Sequence, residues 1–250
     1  MTKFTDIELS NLLDLAVKAS LNAGKYIVNN VPIQIGFKSS QYDLVTEHDT
    51  ASEKIIREIL SHSNISILGE ELGGSREFSL TWVIDPIDGT NNFVTGSPLV
   101  GINIALFSEG EPIIGVTYLP FLDELYTAIK GQGVIFNTKP LPMLLSTPAN
   151  YIPIIMNNTD PLIVANYPKR LIGASSVELA WCARGIFVGV AYEETQPWDV
   201  APGVLFIREL GGDARSRVSD QNIFENGAIV GNKKVVNELM GLIDNGKLFN

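Results

Sequence analysis

The sequence predicts a layered α/β fold, and three features of the 250-residue chain carry that prediction. Short apolar runs divided by Gly, Pro and Asp alternate with amphipathic stretches of helical period, the pattern of sheets covered by helices. With 45% hydrophobic and 18% charged residues, a chain of this length buries about 70% of its unfolded surface, enough for a sizeable core. The single cysteine, Cys182, excludes an intrachain disulfide framework and a cysteine-rich zinc site, so the core must hold without staples.

Thr5 and Glu8 stand at capping-box spacing, and Leu9, Leu12, Leu13, Ala16, Val17, Leu21 and Ile27 follow at near-helical intervals. A first amphipathic helix is therefore expected from Thr5 to about Asn30. A second is expected from about Asp49 to Ser61, capped by Asp49 or Thr50, with Ile55, Ile56, Ile59 and Leu60 as its buried stripe. The runs Ile65 to Leu68, Thr81 to Ile84, Leu99 to Phe107, Ile113 to Leu119 and Glu124 to Ile129 read as strands. Four of the 13 prolines fall between Thr138 and Asn158, which suggests a connection between an N-terminal lobe, residues 1–140, and a C-terminal lobe, residues 141–250. Beyond it, Leu162 to Ala165, Ile186 to Val190 and Ala228 to Val230 read as strands. Ala174 to Arg184, Trp198 to Leu210 and Lys233 to Ile243 read as helices.

Eighteen basic against 28 acidic side chains give a net charge of −10, which repels a nucleic-acid backbone, and no basic cluster offsets it. No basic leader followed by an apolar segment opens the sequence, and no apolar run approaches the roughly 20 residues of a membrane helix. Neither nucleic acid nor membrane is expected as a partner, and the lone cysteine fits a reducing, cytoplasmic setting. Such acidity suits an anionic substrate only where carboxylates gather around divalent cations that reverse the local sign.

The most informative window is Trp82-Val83-Ile84-Asp85-Pro86-Ile87-Asp88-Gly89-Thr90, an apolar strand ending in two aspartates that bracket a proline. Pro86 confines Asp85 to extended backbone and fixes its own φ, so Asp85, Asp88 and the Ile87 carbonyl can point to one side. Three hard oxygens then suit a divalent cation, and the N–H groups of Gly89 and Thr90 suit an anion. The same residues also fit a plain polar turn capped by Asp. Glu70 and Glu71, after another short strand, fit either ligands or solvated surface. Asp199, after Pro197 and Trp198 at a helix start, fits either a ligand or a cap. Asp43 through Asp49 precedes a helix and reads first as capping.

Taken together in this order, Asp43-Leu-Val-Thr-x-x-Asp49, Gly69-Glu-Glu71, Asp85-Pro-Ile-Asp-Gly-Thr90 and Trp198-Asp199, eleven residues ahead of Gly211-Gly212, resemble the successive signatures of the inositol monophosphatase family. The likeness runs through Lys38-Ser39-Ser40, Gly131-Gln-Gly133 and Asn137 to the last helix. The resemblance implies a five-layer αβαβα sandwich of the inositol monophosphatase and fructose-1,6-bisphosphatase type, and a lithium-sensitive, Mg²⁺-dependent phosphoric monoester hydrolase, homodimeric. It further implies that Glu70, Asp85 and the Ile87 carbonyl hold one Mg²⁺ and that Asp85, Asp88 and Asp199 hold a second, with Glu70 near a third, weaker ion. Thr90 paired with Asp49 would orient the attacking water. The N–H groups of Gly89 and Thr90 would receive the phosphate, and Lys38 would stand by as an auxiliary charge. Two hard cations flanking an in-line displacement make the acidic composition intelligible.

Family members acting on inositol phosphate have a substrate-contacting Glu seven residues before the second-site Asp. Tyr192 holds that position here, and a deletion in the loop would bring one of the adjacent Glu193 and Glu194 into the role, Glu193 being the nearer. Inositol 1-phosphate is the leading substrate. Fructose 1,6-bisphosphate, histidinol phosphate and 3′-phosphoadenosine 5′-phosphate are the alternatives within the superfamily, and a regulatory binding protein with residual phosphatase activity is the alternative outside it. His48 and His62 are read as surface or capping groups, Cys182 as a buried small hydrophobe, and Trp198 as packing beside Asp199.

Overall fold

The computed structural model describes residues 4–30, 35–37, 44–144, 154–157, 168–218 and 222–244. Helix α1 (Asp6–Val28) opens with the expected capping box: Thr5 N–H donates to Glu8 Oε2 at 2.7 Å, and Glu8 N–H donates to Thr5 Oγ1 at 3.3 Å. Strands β1 (Ile35–Phe37) and β2 (Leu44–Thr46) form a small antiparallel pair. Helix α2 (Glu47–Leu60) begins before the expected point, because Thr46, and neither Asp49 nor Thr50, is its N-cap. Asp49 is instead the third helical residue, and its Oδ2 accepts the Thr46 N–H at 2.8 Å and the Thr46 hydroxyl at 2.7 Å.

Seven strands follow in one sheet: β3 (Ser66–Gly69), β4 (Leu80–Asp88), β5 (Gly101–Ser108), β6 (Glu111–Leu119), β7 (Glu124–Ile129), β8 (Val134–Phe136) and β9 (Lys139–Pro140). They lie side by side in chain order, with β3 parallel to β4 and the other pairs antiparallel. The short helix α3 (Thr90–Thr95) follows β4 directly. Strand residues alternate between two covered faces, which is why the runs are apolar throughout rather than every second residue. Trp82, Ile84, Ile102, Ile104 and Leu106 pack under α1 and α2. Val83, Ala105 and Phe107 point the other way, toward α4 (Ser175–Ala183) and α5 (Pro197–Glu209).

A second sheet has five strands in the order β11-β10-β12-β14-β13, from β10 (Ile154–Asn157), β11 (Lys169–Arg170), β12 (Gly189–Tyr192), β13 (Asp213–Ser216) and β14 (Ala228–Gly231). Val190, Tyr192, Ala228 and Val230 join the core that holds α4 and α5. Val188, Ala191 and Ile229 pack with Val235, Val236 and Leu239 of α6 (Lys233–Asp244). The layers are thus α1 with α2, the seven-stranded sheet, α4 with α5, the five-stranded sheet, and α6: an αβαβα sandwich. The strand expected at Ile186 to Val190 sits later, at β12, and the one expected at Leu162 to Ala165 lies outside the described residues. Among the described residues no helix is long and apolar enough to cross a membrane.

Candidate active site

The site is built at the C-terminal end of β4, next to the edge strand β3. Strand β4 continues past Asp85 to Asp88, further than its apolar run, by way of an irregularity: Asp85 pairs with Asn103 and Asp88 with Gly101. Pro86, which has no N–H to give the ladder, falls inside that break. The Asp85 carboxylate is fixed locally, since Ile87 N–H donates to its Oδ1 at 3.0 Å. From below, the Ser52 hydroxyl of α2 donates to the Pro86 carbonyl at 3.0 Å. Gly89 then turns the chain with φ +90°, and a Cβ there would lie 2.9 Å from the Ala174 Cβ. Glycine alone fits that turn comfortably. Thr90 Oγ1 stands 3.1 Å from Asp49 Oδ1 and 3.2 Å from the Ile87 carbonyl, so its one proton goes to either acceptor in turn.

Charge accumulates around Asp85. Burial pushes its carboxyl well above the usual carboxylate range, and the neighbouring Glu70, Asp88 and Asp199 push in the same direction. Asp88 is held by α4: Ser175 Oγ donates to Oδ1 at 3.0 Å, while Ser176 donates its backbone N–H to Oδ2 at 2.6 Å and its hydroxyl to the same oxygen. Burial raises the Asp88 carboxyl too, and these donors oppose the rise. Asp199, in the first turn of α5, accepts the Gln196 N–H on Oδ2 at 3.0 Å. Its backbone carbonyl accepts from Ser175 Oγ at 2.9 Å and Asn103 Nδ2 at 3.1 Å, tying α5 to α4 and β5. Among the described residues, no three acidic, histidine or cysteine side chains are already closed around one point. Asp88 and Asp199 are turned to these protein donors instead.

Several residues at the site had no motif to announce them. Ser175, Ser176 and Asn103 are short polar groups at the start of a helix and inside an apolar strand, and only their N–H or O–H partners reveal them. Glu178 is 1% exposed; its Oε1 accepts the Gly173 N–H at 3.2 Å, and its carboxyl faces the Tyr192 hydroxyl, which favours the ionised form. Burial pushes Glu178 up to about 7, and the Asp88 charge adds to it. Burial likewise raises the Tyr192 hydroxyl, followed by the charges of Glu178, Asp88 and Asp199. Tyr192 therefore faces inward beneath the carboxylates, while Glu193, the next residue, is exposed. His48 is buried rather than on the surface, its Nδ1 lying 2.9 Å from the Tyr26 hydroxyl. His62 is exposed, and Cys182 is buried, with burial raising its thiol to about 12. Lys38 lies outside the described residues.

A five-layer αβαβα sandwich with buried carboxylates crowding one strand end is the build of a class of layered α/β phosphatases. The family model for the inositol monophosphatase family matches residues 8–243, and the chain belongs to that family. An inositol-1-monophosphatase of Rhizobium meliloti is 32% identical over 94% of this chain and 96% of its own length. A protein of Aquifex aeolicus named fructose-1,6-bisphosphatase/inositol-1-monophosphatase is 30% identical, over 82% of this chain and 85% of its own. The crystal structure of the extragenic suppressor protein suhB from Bartonella henselae superposes with a TM-score of 0.85 at 28% identity, covering 94% of this chain and 99% of that one. The chain is a phosphatase, of a family that is generally metal-dependent.

Proposed function

We propose that the protein hydrolyses the phosphate monoester of a small polyol with Mg²⁺, inositol 1-phosphate before fructose 1,6-bisphosphate, histidinol phosphate or 3′-phosphoadenosine 5′-phosphate. The observation that carries the reading is the crowding of Glu70, Asp88 and Asp199 around the buried Asp85 carboxyl. Four carboxylates so close repel one another, and a hard divalent cation removes that repulsion while using the same oxygens as ligands. In this reading Glu70, Asp85 and the Ile87 carbonyl form one cation site, and Asp85, Asp88 and Asp199 the other. Asp88 Oδ1 accepts a single serine donor and keeps a lone pair for the cation. When bound, the ions supply a water of lowered pKa and a counter-charge for the leaving oxygen.

The chain's own groups do the rest. Asp49, its other oxygen saturated by Thr46, takes the Thr90 proton, which leaves a Thr90 Oγ1 lone pair to accept a hydrogen from the attacking water. The N–H groups of Gly89 and Thr90 are the donors to the phosphate oxygens, and Lys38 is an auxiliary positive charge. Glu193, exposed beside the inward-facing Tyr192, is the acceptor for a polyol hydroxyl. A charge-assisted contact of that kind is worth about 1.5 to 3 kcal/mol, or roughly ten- to a hundredfold in kcat/KM. The active species in this reading is a homodimer.

The deciding experiment measures phosphate release from the four esters and from glycerol 2-phosphate over a Mg²⁺ titration, for the wild type and Glu193→Gln. Preference for inositol 1-phosphate, lost in Glu193→Gln while glycerol 2-phosphate is spared, is the expected outcome. Release that is independent of divalent cation, or a clear preference for another ester, overturns the corresponding part of the reading. The name of the suhB relative favours one second reading, a regulatory protein with residual phosphatase activity. A metal-ligand variant that keeps the cellular function would select it.

A further inference from the structure

Helix α2 presents an unusual buried face. His48, Asp49, Ser52 and Glu53 are buried along with the apolar Ile56 and Leu60, so the inward stripe is polar over its first two turns. Three of these polar groups have a target at the site: Asp49 reaches Thr90, Ser52 reaches the Pro86 carbonyl, and Glu53 reaches the loop after β3. Glu53 is 0% exposed and fully engaged. Its Oε2 accepts the Glu71 N–H at 2.7 Å, and its Oε1 accepts the Leu72 N–H at 3.2 Å and Arg57 Nε at 2.7 Å. Arg57, one helical turn on, also donates to the carbonyls of Ile67 and Gly73, on either side of the same loop. Gly69 leaves room for the arrangement, since a Cβ there would run into the Glu53 carboxylate. A buried carboxylate costs stability unless its charge is paired and its lone pairs are used, and this one meets both conditions at the residues flanking Glu70.

We infer that Glu53, clasped with Arg57, is a positioning residue that sets the Glu70 carboxylate against Asp85 and thereby the divalent-cation affinity of the site; this rests on the proposed ligand role of Glu70. Backbone N–H groups of two consecutive residues, 71 and 72, bound to one rigid carboxylate fix the peptide that follows Glu70. The other side of the loop is fixed by Glu70 N–H, which donates to the Ile84 carbonyl of β4 at 3.2 Å. Glu70 is thus held between a strand and a helix rather than carried on a free loop. Groups that orient ligands in this way change metal affinity by about 10- to 100-fold when removed.

Three measurements test the inference. In the wild-type, metal-free protein the Glu71 and Leu72 amides should exchange hydrogen as slowly as those of β4; exchange at open-loop rates would overturn the clasp without any substitution. Glu53→Gln keeps the size but sets an NH₂ group against one backbone N–H. It should weaken Mg²⁺ binding, measured by calorimetry without substrate, by about tenfold or more, and speed exchange at residues 71 and 72. Gly69→Ala, which presses on the same carboxylate from the other side, should do likewise, and Glu58→Gln, on the exposed face of α2, should do neither. The last measurement is a cycle with Glu70→Gln, because a residue acting through Glu70 has nothing further to lose once Glu70 is gone. Glu53→Gln should then add less than about twofold in that background. A full additive loss, or a loss of melting temperature with unchanged Mg²⁺ affinity, would overturn the positioning role while leaving Glu70 as a ligand. Unchanged affinity in Glu70→Gln alone would overturn the ligand assignment, and the inference with it.

Discussion

Replacing Glu178 with Gln removes a buried carboxyl whose ionisation burial opposes, so that its pKa stands at about 7 against an ordinary 4.5. Between those two values the folded chain keeps a proton that the unfolded chain has released. Stability therefore falls as pH rises through the window and levels off above it. The displacement of 2.5 (7 − 4.5) corresponds to about 3 to 4 kcal/mol in total, at roughly 1.4 kcal/mol per pKa unit. Solvent screening takes little from it, since Glu178 is 1% exposed. Glutamine is neutral at every pH, can still accept the Gly173 N–H, and offers an N–H to the Tyr192 hydroxyl beside it. Urea unfolding of both proteins with a chelator present, from pH 5 to pH 8, should show Glu178→Gln gaining about 2.5 kcal/mol on the wild type. Titrating groups out of reach of Glu178 are common to both proteins and cancel in the difference, while Asp88, whose charge acts on Glu178, does not. A gap that stays constant with pH would show that Glu178 ionises normally in the folded chain and would refute the reasoning.

Asp85→Asn should abolish phosphate release while the fold persists. The metal-free protein should melt higher at alkaline pH, because the raised carboxyl destabilises the fold once pH exceeds its unfolded value; near wild-type turnover would remove Asp85 from the metal centre. Thr90→Ala should lower kcat more than it raises KM, since orienting the water matters mainly in the transition state, and a loss confined to KM would leave Thr90 a phosphate donor only. Gly89→Ala should cost more than about 1 kcal/mol, seen as a lower melting temperature, because φ is +90° and the new methyl meets Ala174; an unchanged melting curve would mean that the turn relaxes freely.

What could be read from the sequence, and what could not, follows from the kind of interaction involved. Apolar period located α1, α4, α5 and α6 and the strands β3 to β7, because both faces of the large sheet are covered and its runs are long and uniform. The short strands β8, β9 and β13 escaped, since pieces of two to four residues carry too few positions for a period to show. The apolar half of the α2 stripe shows in the sequence, while its polar half does not, for a different reason. Asp49 and Glu53 continue the line of Ile56 and Leu60 at helical spacing, yet an acidic residue there looks like the solvated side of a helix. The acids of β4 and α5 stand out in the sequence and the family resemblance gives them their proposed role, whereas the donors that hold them in the fold carry no such sign. Ser175, Ser176 and Asn103 are made significant only by chain crossings of 87, 88 and 96 positions.

The bonds from Ser175 and Ser176 to Asp88 span 87 and 88 positions, and they set an order of events on the ribosome. At roughly 5 to 20 residues per second, Asp88 is made some 4 to 18 s before the serines that will cover it. During that interval β4 and β5 have one face available to α1 and α2 and the opposite face, with Val83, Ala105 and Phe107, bare. Until α4 and α5 arrive, Asp85 and Asp88 lack the cover that raises their carboxyls in the folded chain, so they are hydrated and ionised, and the rim of that face carries charge.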